Sequence, residues 1–230
     1  QELAGNFHRA KGQHREAEDA FRRAEEFVRK SMATYESWNR PPARVRLEFL
    51  ADFLVMQQGN SKAAQGRMIE GEADVRRALL SQLKKQGKHS TGAAHMLSAL
   101  GQVLAQQGRF AEAESVTRAA LELYGALKLA DSSPKVSENL LNLAALLNLQ
   151  NRWPEAAAVY RRLDEATKDW EPRRRQRFEL KPSRIYTLYK TGNERDGVAA
   201  ARMFLDRLMS RFGAEHFNTA LARGLLGIGL

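Results

Sequence analysis

Cysteine is absent from all 230 residues, which removes disulfides, thiolate metal sites and a cysteine nucleophile together. Proline is scarce at six residues, so little interrupts helix formation in a chain rich in Ala, Leu, Arg, Glu and Gln. No apolar run approaches the ~18–20 residues that span a bilayer, so no membrane span is expected. The residues Gln1-Glu2-Leu3-Ala4-Gly5 have neither the basic segment nor the apolar stretch of a secretory signal. The five histidines, His8, His14, His89, His95 and His216, show no HExxH spacing and no tight pairing with carboxylates. No Gly-x-Ser-x-Gly elbow and no phosphate loop ending in Gly-Lys-Ser/Thr occurs; Gly224-Leu225-Leu226-Gly227-Ile228-Gly229 matches a glycine-rich loop superficially, without a strand before it. The sequence therefore predicts no catalytic residues, no metal and no cofactor. What remains is 43% hydrophobic and 28% charged, with 37 Lys+Arg against 27 Asp+Glu and a net charge of +10.

Self-similarity is the strongest positive signal. LSALGQVLAQQGRFAEAESVTRAAL, from Leu97, and LLNLAALLNLQNRWPEAAAVYRRL, from Leu140, share a stripe of leucines at three- and four-residue steps, the mark of one buried helix face. Gly101 and Ala144 occupy the same slot inside that stripe. Seven residues on come Gly108 and Asn151, the residue types best suited to the left-handed helix end. Ala113 and Ala156 follow after five more residues, then Ala120 and Leu163. The same ruler fits Gly5, Gly12, Ala17 and Ala24, and again Ile185, Gly192, Gly197 and Phe204. A further copy is read at Gly59, Ala64 and Gly71, with one additional residue in its first helix. The predicted turns therefore lie at 12, 59, 108, 151 and 192, and Gly227 begins a sixth copy in the slot of Gly101. Small residues at matched places let two antiparallel helices approach to about 8–10 Å.

On these residues the sequence resembles the tetratricopeptide repeat family, through the Leu-x2-Leu-Gly/Ala-x2-Leu run, the turn glycine and the spaced small residues of Leu97–Ala120. The spacing is similar to the long variant of about 42 residues, found in kinesin light chains and many bacterial repeat proteins. Gly213-Ala214-Glu215-His216 resembles that variant's inter-repeat loop. The resemblance implies an all-α fold, an α-α superhelix wound as a right-handed solenoid of about five helix-turn-helix repeats plus a partial sixth. Copies two and five depart from the pattern, with Ile185 where a small residue is usual and Phe204 where alanine is.

First helices are predicted at 2–11, 43–58, 91–107, 135–150, 178–190 and 217–230, and second helices at 14–37, 61–86, 110–127, 153–168 and 194–211. The extra length of the first two copies then falls in their second helices. Asn39-Arg40-Pro41-Pro42, Ser132-Ser133-Pro134 and Trp170-Glu171-Pro172 mark boundaries. No long linker divides the chain, so residues 1–230 are expected to form a single repeat domain. The apolar stretch Gly224–Leu230 stops in mid-repeat, as in a piece of a longer protein, and offers a face for end-to-end or homo-oligomeric contact.

In stacked helix pairs the first helices line the concave side, and positions between the buried leucines face outward there. The candidate binding residues are Asn6 and Arg9 in copy one, His95, Ser98, Gln102 and Gln106 in copy three, Asn148 in copy four, and Tyr186, Tyr189 and Lys190 in copy five. Amides, hydroxyls and cations suit the backbone and acidic groups of an extended peptide, and tyrosine offers rigid area with a polar tip. His14 falls where an aromatic packing residue is expected. Mixed-charge pairs such as Glu25-Glu26, and Glu112 with Glu114, read as solvated helix faces. Arg173-Arg174-Arg175-Gln176-Arg177 and Lys84-Lys85-Gln86-Gly87-Lys88-His89 are basic clusters, but the scatter of charge elsewhere and the lack of a nucleic-acid motif disfavour nucleic acid against an acidic peptide or protein. The expected function is a noncatalytic scaffold for protein or peptide. The alternatives are the recognition arm of a larger enzyme, a caspase-like protease or signalling NTPase, or a peptide-pheromone receptor. The sequence leaves the cellular compartment open.

Overall fold

The computed structural model describes residues 2–37 and 41–229. Among them there are twelve helices and no strand. They fall into two compact units, residues 1–129 and 130–230. The first holds α1 (Glu2–Ala10), α2 (His14–Ser37), α3 (Pro41–Ala64), α4 (Met68–Gln86), α5 (Thr91–Gln106) and α6 (Phe110–Ala126). The second holds α7 (Pro134–Leu149), α8 (Trp153–Thr167), α9 (Pro172–Glu179), α10 (Pro182–Lys190), α11 (Glu194–Phe212) and α12 (Phe217–Ile228).

Five turns share one geometry. Gly12, Gly66, Gly108, Asn151 and Gly192 have φ between 59° and 85°, and the residue after each donates its N–H to the carbonyl five residues back. Those bonds are Gln13 to His8, Arg67 to Lys62, Arg109 to Leu104, Arg152 to Leu147 and Asn193 to Leu188, at 2.9–3.0 Å. This is the closing bond of a left-handed helix cap.

The second turn is not where the sequence placed it. Gly59 lies inside α3, seven residues before the turn glycine Gly66, in the slot of Gly5 and Gly101. A Cβ on Gly59 would lie 2.7 Å from the carbonyl oxygen of Gly71, and one on Gly71 would lie 2.6 Å from that of Gly59. The two backbones touch across the α3–α4 crossing, which is why both residues are glycine. The predicted ends at 58 and 61 are therefore corrected to Ala64 and Met68, and the additional residue inferred for copy two does not exist. The extra length lies in α2 and α3, each 24 residues. Asn39 and Arg40, read as the boundary between them, and Leu230, the expected last residue of the final helix, lie outside the described residues.

Size complementarity across each crossing accounts for the irregular fifth copy. Gly5 faces the ring of Phe21, Gly59 the side chain of Val75, and Gly101 the hydroxyl of Thr117 at 2.6 Å from an added Cβ. In the fifth pair the equivalent positions hold Ile185 and Ala201, both fully buried, so large and small have exchanged places. Likewise Gly197 leaves room for Tyr189, whose ring a Cβ there would meet at 2.5 Å. A second correction concerns 172–190: Pro182 starts a new helix, so the predicted helix 178–190 is two elements, with α9 inserted before α10.

The first unit is also stitched by a repeated polar contact. Glu18 accepts hydrogen bonds from Gln65 and Arg67, each at 2.8 Å, and Glu72 accepts them from Gln107 and Arg109, each at 2.8 Å. Each arginine also grips the glutamate three residues ahead, Glu70 or Glu112, so one guanidinium ties a turn to the preceding pair. Burial pushes the Glu72 carboxyl up, but the bonds from Gln107, Arg76 and Arg109 outweigh it and leave its pKa lowered.

Candidate functional site

In the first unit α1, α3 and α5 are the first helices of their pairs, and their shared register brings polar side chains to corresponding places. Six residues before the turn stand Asn6, Asn60 and Gln102. Arg9 on α1 donates to Gln57 on α3 at 2.8 Å and to Asn6 at 3.1 Å, and Asn60 donates to the same Gln57 oxygen at 3.4 Å. This amide and guanidinium cluster joins α1 to α3. Further along α3, Phe49 and Phe53 stack with centroids 6.2 Å apart, and Phe53 meets His95 of α5 edge-on at 5.5 Å. The half-buried aromatic pair and His95 join α3 to α5.

The candidates on α5 differ in availability. Ser98 turns its hydroxyl back to the Ala94 carbonyl at 2.9 Å. Gln102 and Gln106 are exposed and form no hydrogen bond with a described residue. Asn6, Arg9, His95, Gln102 and Gln106 are thus brought to the first-helix set of one unit. The structure adds Phe49, Phe53, Gln57 and Asn60. The signal for these four was present as Gly66 seven residues after Gly59; reading the turn at the earlier glycine hid them.

In the second unit the picture changes. Asn148, expected on an open face, is buried: its Nδ2 donates to the Ser183 carbonyl at 2.9 Å and its Oδ1 accepts from the Thr187 hydroxyl at 2.7 Å. It is a clamp between α7 and α10. Tyr160 continues this clamp through its hydroxyl to Ser183 Oγ at 3.0 Å, and burial raises its phenol pKa. Arg184 grips Asp164 with two bonds of 2.6 Å. Tyr189 is a packing residue: Gly197 and Gly229 flank its ring, and its hydroxyl is buried without a partner among the described residues. Burial raises its pKa. Tyr186 is half-buried against Trp153 at 5.3 Å, with the Lys190 ammonium 5.3 Å from its ring. Of the three candidates on α10, Tyr186 and Tyr189 are alike half-buried and Lys190 is exposed.

Among the described residues no group of three or more His, Asp and Glu is arranged to hold a metal ion, and no helix is long and apolar enough to cross a membrane. His216 caps α12, its Nδ1 accepting from the Asn218 N–H at 3.2 Å.

Comparison with known proteins agrees with this architecture. Residues 51–126 match the family model of the tetratricopeptide repeat. No curated protein sequence matches the chain. Among solved structures, the chain is similar to a single-substitution form of a kinesin light chain from Podosopora anserina with nearly identical TPR-like repeats, at 12% identity and a TM-score of 0.60, covering 76% of this chain and 82% of that one. It is similar to BtubC (BKLC) from P. vanneervenii at 18% identity and a TM-score of 0.62, covering 89% and 81%. A Rap protein complexed with Competence and Sporulation Factor aligns at 14% identity and a TM-score of 0.58, over 98% of this chain and 61% of that one. Residues 51–126 thus carry the tetratricopeptide repeat, and helix pairs of the same turn geometry lie on either side of them.

Proposed function

We propose that the chain is a noncatalytic scaffold that binds a polypeptide segment on the first-helix face of residues 1–129. The observation that carries this reading is the register of α1, α3 and α5. It sets Asn6, Asn60 and Gln102 at one repeat position, with Arg9 beside the first two and the Phe53–His95 contact further along. Amide side chains both donate and accept, so they satisfy the backbone of an extended chain whatever its sequence, while aromatic contacts select for side chains. Arg9 suits an acidic group. The Rap structure solved with Competence and Sporulation Factor supports the use of this fold for binding.

The test is a peptide array followed by calorimetry on the best binder. Asn60→Ala with Gln102→Ala removes the least committed amides, since Asn60 has only a 3.4 Å bond and Gln102 none. Affinity should fall at least tenfold with the melting curve unchanged. Undiminished affinity for every array-derived binder would refute the assignment.

On α12, Phe217, Leu221 and Ile228 lie on one helix face and are each more than half exposed. That stripe supports a contact with a second copy, which sedimentation at several concentrations would detect. Membership of a larger enzyme, the alternative raised by the sequence, is decided by the length of the full gene product.

A further inference from the structure

We propose a second docking surface, in the second unit, formed by the inserted helix α9 and the outer face of α11, whose occupant is an acidic polypeptide segment carrying an apolar anchor. Charge is concentrated here. Residues 172–212 hold 11 Lys and Arg against four Asp and Glu, which is +7 of the chain's +10. Elsewhere in the chain acids and bases nearly balance.

The insertion is tied to the residues that follow α8. Arg174 lies over the Trp170 ring at 3.6 Å, and Phe178 meets the same ring edge-on at 5.2 Å. Arg175 pairs with Glu179 at 2.8 Å and donates to the Lys168 carbonyl at 3.2 Å. These contacts link α9 to Lys168 and Trp170, just past the end of α8.

A cavity of about 460 Å³ lies between α9 and α11, lined by Arg173, Gln176, Leu180, Met203, Asp206 and Arg207. Arg173 and Arg207, from different helices, are exposed, and neither forms an ion pair with a described residue. Unpaired like charges facing one cleft raise the local potential and favour an anion there. The floor is apolar: Leu180 is buried and Met203 is 49% exposed.

Two details select polypeptide over nucleic acid. The Trp170 face is closed by Arg174 and Phe178, so it offers no platform for base stacking. Asp206 in the wall opposes a run of phosphates, whereas a peptide places its carboxylates at separate points around an apolar side chain. The surface is separate from the α1–α3–α5 face and does not depend on it.

The experiment uses the whole chain and a fluorescein-labelled glutamate peptide of twelve residues with two central leucines, read by anisotropy at low salt. Arg173→Glu with Arg207→Glu should weaken binding at least tenfold. Arg195→Glu with Arg223→Glu makes the same change in net charge at other exposed sites and should weaken it less than threefold. Replacing both leucines of the probe by serine should weaken binding to the parent at least threefold. Unaltered circular dichroism for both variants is expected, because none of the four arginines pairs with a described residue. The proposal is overturned by absence of binding, by equal weakening from the two variant pairs, or by indifference to the leucines. Tighter binding of an oligothymidylate of equal length overturns it as well, and assigns the surface to nucleic acid.

Discussion

Gly59→Ala tests the register of the α3–α4 crossing, because the added methyl has nowhere to go. Its carbon would sit 2.7 Å from the Gly71 carbonyl oxygen and 2.9 Å from Val75 Cγ2. The oxygen belongs to backbone, so relief requires the helices to part by several tenths of an ångström. Overpacking of this kind costs about 1–3 kcal/mol. Against it stands the gain from replacing a mid-helix glycine by alanine, about 1 kcal/mol. Gly125→Ala approaches that gain without the clash, since Gly125 lies in the last turn of α6 with no atom within 4 Å of the added carbon. Gly125→Ala should therefore melt above the parent. Gly59→Ala should melt below Gly125→Ala by roughly 2–12 °C, at about 2–4 °C per kcal/mol for a chain of this size. Gly66→Ala places a side chain at φ 85° and should lose about 1–2 kcal/mol by left-handed strain alone. Differential scanning calorimetry on the three variants decides the matter. If the turn were at Gly59 instead, Gly66→Ala would be stabilising, and that result, or equal melting of the Gly59 and Gly125 variants, would refute the crossing.

Two further predictions concern single contacts. Gly197→Ala drives a carbon into the Tyr189 ring at 2.5 Å, so it should destabilise the parent yet cost little once Tyr189→Ala has emptied the space; a double-mutant cycle should show a coupling of about 1–3 kcal/mol, and additivity would deny the contact. Glu72 has a folded pKa below its unfolded one, so its contribution is complete above the unfolded value and is lost as pH falls through the folded value. The parent should melt above Glu72→Gln at pH 7, by no more than about 1 kcal/mol of stability for a surface ion network, and the gap should close on acidification to below about pH 4. A gap independent of pH would place the stabilisation elsewhere.

The sequence carried the repeat because its turn and its crossing each demand a rare residue type. Gly108, Asn151 and Gly192 are chosen by a positive φ, Gly101 by contact between helices, and both demands act through one residue at a fixed spacing. Copy two misled for that same reason. Glycine answers both demands, and Gly59 and Gly66 stand at the interval that separates a crossing from its turn, so one ruler fitted twice, one step apart. Periodicity alone does not distinguish a glycine chosen for backbone conformation from one chosen for closeness. The functional face was less legible, since polar residues outside the leucine stripe are not constrained to one role. Gln102 has no hydrogen-bond partner among the described residues, Asn148 is spent on α10, and Ser98 on its own helix, although all three looked alike in sequence. What separates them is the neighbour supplied by the adjacent pair: Ser183 and Thr187 follow Asn148 by 35 and 39 residues, a separation no local pattern registers. Glu18 and Glu72 show the converse. Each stands six residues after its turn, and the turn residues of the following pair, Gln65 with Arg67 and Gln107 with Arg109, recur in step with them. Once the turns are set at 12, 66 and 108, that contact between successive pairs can be read from the sequence alone.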